Sequence, residues 1–113
     1  MEGIDCGCLR AGPARDSTAA TYLGIDHARS RFAEVEIEEC THCRRRWLHY
    51  SLERDGVPLS GRWYRGLLDG SLPHEVTADS AVALLGGMTW YFAGGPWYGP
   101  GIRRLSGPPE VDA

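Results

Sequence analysis

With 113 residues, 42% of them hydrophobic and 24% charged, the chain is long enough to bury one core and too short for two. That balance excludes an intrinsically disordered chain, and a net charge of −3 excludes a molecule coated in basic side chains for nucleic acid. No apolar run approaches the length of a membrane span, which excludes a transmembrane helix. No charged-then-apolar leader opens the chain, so a cytoplasmic location with reduced thiols is expected. All twelve basic residues are arginine, and lysine, asparagine and glutamine are absent. Such a bias is expected of a GC-rich, bacterial genome, so an arginine here is not by itself a selected guanidinium fork.

In chain order, residues 1–20 are weakly patterned and predict an N-terminal loop anchored through Cys6 and Cys8. Residues 21–32 have mixed character and predict no particular element. From Phe32 the pattern sharpens. Glu34, Glu36 and Glu38 alternate with Ala33, Val35 and Ile37, the period of two of a half-buried strand with its glutamates on the wet face. Residues 45–53 resume β-prone chemistry, with Leu48, Tyr50 and Leu52 on one face and Trp47, His49 and Ser51 on the other. The two segments predict an antiparallel hairpin whose tip is Cys40-Thr41-His42-Cys43. Residues 54–61 are turn chemistry, and residues 62–68 predict a third strand. Thr77 is a candidate N-cap and Asp79 suits the positive end of a short helix carrying Ala81, Val82, Leu84 and Leu85, which Gly86-Gly87 ends. Residues 90–101 place five aromatics among four glycines and two prolines, and residues 106–113 predict a flexible tail.

Cys6-Gly7-Cys8 and Cys40-Thr41-His42-Cys43 are two tight pairs of soft ligands, each able to supply one edge of a tetrahedral Zn²⁺ site. Two disulfides would require an oxidising compartment, and four unrelated thiols would leave the pairing without a reason. Iron is the alternative occupant of the same four-thiolate shell. These four cysteines and the strands beside the second pair resemble the zinc-ribbon class, in which two knuckles clamp a structural zinc. The resemblance implies a metal that acts as a staple, since a closed tetrathiolate shell has no open position at which to activate water. The first pair is C-x-C where the class has C-x2-C, and Arg44 stands where a glycine often follows the second knuckle. His42 lies within the knuckle as a candidate for exposure or a hydrogen bond to the site. His27, His49 and His74 show no partner at metal or catalytic spacing, and His49 is expected to be an ordinary half-buried strand residue.

Two surfaces are candidates for binding. Arg44, Arg45 and Arg46 follow the knuckle and offer phosphate contacts, but the acidic strand next door predicts cross-strand pairing with glutamate instead. The 90–101 segment predicts core packing of Trp90, Tyr91 and Phe92. It also predicts an aromatic protein-docking anchor at Trp97 and Tyr98, with Trp90 beside it. No nucleophile elbow or phosphate loop is present, and Glu36 and Glu38 are expected to be solvated, so catalysis has no support. The expectation is a single α+β domain over residues 1–113: a small antiparallel sheet, one helix and a four-cysteine zinc site. The expected function is non-catalytic recognition of a protein partner, of the small inhibitor or immunity-protein kind. A zinc-ribbon nucleic-acid binder working through Arg44, Arg45 and Arg46 is the alternative.

Overall fold

The computed structural model describes residues 18–27, 33–52, 60–68 and 76–109. Among these residues six strands and one helix follow in order: β1 (Thr18–Ile25), β2 (Glu34–Cys40), β3 (Arg46–Leu52), β4 (Arg62–Leu67), α1 (Ala81–Gly87), β5 (Tyr91–Gly94) and β6 (Arg103–Leu105). They form one antiparallel sheet in the order β1-β2-β3-β4-β5-β6, so every strand pairs with its neighbour in sequence. The domain is therefore α+β in the expected sense, though mostly β. Its sheet is twice as wide as the three predicted strands.

The predicted hairpin forms with Ile37 opposite Leu48 and Val35 opposite Tyr50. Those residues lie on the helix-side face, and Tyr64 extends the row on β4 opposite Tyr50. Val35, Leu48, Tyr50 and Tyr64 are fully buried, and Ala81, Val82 and Leu85 of α1 pack in the same cluster. Gly66 makes that packing possible, because a Cβ there would sit 2.1 Å from Met88 Sδ and 2.9 Å from Leu85 Cδ2. The N-cap of α1 is Ser80 and not the expected Thr77, and its side chain bonds no amide of the helix; instead Thr77 and Ser80 close the turn that leads into it. The Ser80 amide donates to Thr77 Oγ1 at 3.2 Å, and the Thr77 amide donates to Ser80 Oγ at 3.0 Å. Asp79 lies ahead of the helix and not in its first turn, and its Oδ1 accepts the His27 amide at 2.9 Å, tying the helix entrance to the end of β1.

Two expectations need correction. Residues 18–25 were expected to be loop or unassigned, but they form the edge strand β1, with Tyr22 opposite Glu36 and a bulge between Tyr22 and Gly24. Their alternation is blurred because an edge strand with its side chains largely exposed needs no clean apolar face. The expected loose tail is in part fastened: Tyr91 donates its hydroxyl proton to the Gly107 carbonyl at 2.7 Å and Pro109 is buried, while residues 110–113 lie outside those described. Among the described residues no helix is long and apolar enough to cross a membrane.

Beneath α1 a buried hydroxyl–carboxylate contact closes the sheet against the β1 end: Tyr50 Oη donates to Asp26 Oδ2 at 2.7 Å, and Asp26 is fully buried. Tyr50→Phe leaves a buried carboxylate short of one donor and is expected to cost about 2 kcal/mol, read as a lower urea midpoint with an unchanged slope.

Candidate functional site

The face turned away from α1 carries the residues of opposite parity, and register alone decides which of them meet. Tyr22 opposes Glu36, Glu36 opposes His49, His49 opposes Arg65, Arg65 opposes Phe92 and Phe92 opposes Arg104. One rung away Glu38 opposes Trp47, and on the other side Glu34 opposes Ser51, which opposes Trp63. An acidic strand, an imidazole, a guanidinium and three indole or phenyl rings thus share one face across the central strands.

Glu38 was expected in water and is instead buried, with its side chain 8% exposed. Arg65 reaches across β3 to hold it, with Nε donating to Oε1 at 2.6 Å and an Nη2 contact to Oε2 at 3.4 Å. The guanidinium is itself supported by the Trp63 ring, 4.9 Å from its centroid. Trp63 in turn lies flat over β5, since a Cβ on Gly94 would come within 2.6 Å of its Cζ2. His49 is not the isolated residue that the sequence suggests. Its Nδ1 lies 3.3 Å from Glu36 Oε1 and 3.7 Å from Glu38 Oε2. Burial pushes the His49 pKa below the ordinary imidazole range and Arg65 adds to that, against the opposing pull of Glu38 and Glu36. Glu36, His49, Tyr22, Glu34 and Ser51 border a cavity of about 260 Å³. The signal for this group was present in the sequence: once Glu39 opposes Arg46, Glu36 must oppose His49 three steps along.

The hairpin tip lies at the other end of the same face. Cys40 ends β2, fully buried beside Trp47 and Phe92, and half-buried Cys43 packs against the same cluster. The turn is closed by the Arg44 amide donating to the Cys40 carbonyl at 2.8 Å and the Cys40 amide donating to the Arg45 carbonyl at 2.8 Å. Arg44 has φ 67°, the left-handed conformation for which glycine is the usual residue. Trp47 is buried in this cluster, and its indole N–H has no acceptor among the described residues. Cys6 and Cys8 lie outside the described residues.

The arginine triplet follows the cross-strand expectation. Arg44 Nη1 meets Glu39 Oε2 at 3.2 Å and Arg46 Nε meets Glu39 Oε1 at 3.1 Å, while Arg45 is half-buried. The three aromatics singled out in the last third separate in the structure. Trp90 is half-buried against Trp47 and Phe92, with the Arg104 guanidinium 4.2 Å from its ring centroid. Tyr98 is half-buried, its hydroxyl 3.0 Å from that of Tyr64, whose pKa is raised by burial and then by the Tyr98 hydroxyl. Trp97 is 40% exposed over the Arg62 guanidinium. Comparison with protein-family models, with curated proteins and with solved structures finds no match.

The Glu38–Arg65 pair separates two glutamates that look alike in sequence. Glu38→Gln leaves a largely buried guanidinium without its counter-charge and is expected to cost about 3 kcal/mol. Glu36→Gln, at a side chain 32% exposed, should cost less than about 1 kcal/mol. Chemical denaturation of the two variants side by side gives the comparison, and equal losses contradict the assignment.

Proposed function

We propose that this chain is a non-catalytic binding module that docks a protein partner through the loop between β5 and β6. A structural zinc on Cys6, Cys8, Cys40 and Cys43 would fasten the N-terminal residues to the β2–β3 turn. The observation that carries the docking surface is an exposed apolar ridge on a stiff frame. Trp97 is 40% and Ile102 49% exposed, with Pro96 and Pro100 also at the surface. The frame is held from below: the Trp97 amide donates to the Gly61 carbonyl at 3.0 Å, the Tyr98 ring sits edge-on to Tyr64, and Arg103 donates to the Tyr98 carbonyl. An aromatic side chain already fixed in place loses little conformational entropy when it is covered, the property that distinguishes binding hot spots.

The zinc reading rests on the spacing of the four cysteines, two of which, Cys40 and Cys43, flank the β2–β3 turn and border the cluster of Trp47 and Phe92. Bound there, the ion would add a cross-link and no reactive position. The nucleic-acid alternative is disfavoured because Arg44 and Arg46 converge on Glu39, which neutralises part of the charge a phosphate would need.

Two measurements test these proposals separately. A partner captured from the native host is expected to lose affinity by about 2 kcal/mol or more with Trp97→Ala, while the stability of the variant changes by less than about 1 kcal/mol. Unfolding of Trp97→Ala, or unchanged affinity, rejects the ridge as the docking surface. Elemental analysis of the purified chain is expected to give one zinc per molecule, and its removal should sharply lower the melting temperature. A metal-free protein whose melting is indifferent to chelator rejects the staple.

A further inference from the structure

We propose that Glu36, Glu38 and His49 form a divalent-cation site separate from the cysteines, with one coordination side open to the cavity beside Tyr22. The three residues each offer a donor atom, and these atoms lie within 4.8 Å of one another. A first-row ion bound tetrahedrally at about 2.0–2.2 Å from nitrogen and oxygen ligands holds neighbouring donors roughly 3.3–3.6 Å apart. His49 Nδ1 already stands 3.3 Å from Glu36 Oε1 and 3.7 Å from Glu38 Oε2. All three donors come from paired strands, so the sheet itself holds them in place.

The more weakly bonded oxygen of a buried carboxylate gives further support. Glu38 Oε1 has a short bond from Arg65, while among the described residues Oε2 has the longer 3.4 Å bond from Arg65 Nη2 and the 3.7 Å contact with His49. A carboxylate oxygen this deeply buried ordinarily takes stronger donors or a cation. The imidazole does not serve both carboxylates, since Nδ1 carries at most one proton and Glu36 is its nearer acceptor. An ion at Nδ1 leaves the ring proton on Nε2 and engages both carboxylates at once. Arg65 then occupies the position of an outer partner, bonded to the oxygen the ion does not use.

Local charge points the same way. Among the described residues, Glu36 and Glu38 meet Arg65 only through Glu38, so a divalent ion between the two carboxylates would add the positive charge that Arg65 alone does not supply to Glu36. Glu34 and Ser51 line the cavity on its open side. The donor set of two carboxylates and one imidazole suits Mn²⁺ as well as Zn²⁺, whereas thiolates favour softer ions.

Mn²⁺ therefore probes this site without loading the cysteines. The experiment is titration of the full chain with Mn²⁺, followed by the loss of the free-ion paramagnetic resonance signal. One bound Mn²⁺ per chain is expected, with His49→Ala and Glu36→Gln each weakening binding at least about ten-fold and Cys43→Ser leaving it unchanged. Glu36→Gln keeps the test decisive even where His49→Ala disturbs the sheet, because Glu36 is half-exposed and among the described residues bonds only to His49. No Mn²⁺ binding up to millimolar concentration, or undiminished binding in a folded Glu36→Gln, overturns the proposal.

Discussion

A buried carboxylate on β2 gripped by a guanidinium on β4, across the intervening β3, is the contact on which the helix-free face depends. Glu38 and Arg65 do not lie on adjacent strands, so their 2.6 Å bond clamps three strands at once. Trp63 needs the arginine below it and the bare Gly94 backbone beside it, and His49 finds its place between Glu36 and Glu38 because Arg65 holds the latter. Such a pair adds little net stability over a well-packed apolar pair, because both ions are desolvated. What it contributes is register: a one-residue slip of β2 would turn Glu38 into the cluster of Val35, Leu48 and Tyr50 and strand its charge there.

The two faces of the sheet therefore divide the work. One is an ordinary apolar layer, closed by α1 and stitched at its margins by Tyr50–Asp26 and Tyr91–Gly107. The other has a charged cluster in its middle and a cysteine and aromatic cluster towards the hairpin tip. Its polar residues are fixed by cross-strand neighbours rather than by a covering layer of described elements. A rigid, polar and partly buried surface of this kind suits selective binding, since its groups are oriented before anything arrives.

Legibility in the sequence followed the range of the interaction. The hairpin of β2 and β3, the third strand and the helix itself were readable because alternation and turn residues are local signals, whereas the cap falls at Ser80 and not at Thr77. β1 was not, because Thr18, Ala19 and Ala20 carry no sharp period and become a strand only by pairing with Glu38, Glu39 and Cys40. Alternation put Glu36 and Glu38 on one face correctly but said nothing of what would cover that face. Arg65, far along the chain, decides that Glu38 is buried and Glu36 less so. The association of His49 with both glutamates is implicit in the hairpin register, which sets Glu36 opposite His49, and is invisible to sequence spacing because the partners lie on different strands. Trp97 and Tyr98, adjacent in sequence, part company because the Tyr98 hydroxyl meets that of Tyr64 while Trp97 stacks outside Arg62.

A double-mutant cycle on Glu38 and Arg65 tests this account most directly, with Glu38→Gln, Arg65→Met and the double variant compared by urea unfolding. If the pair organises the face, the double variant is more stable than the sum of the single losses predicts, with a coupling energy of about 2 kcal/mol. Simple additivity, with coupling indistinguishable from zero, would contradict it.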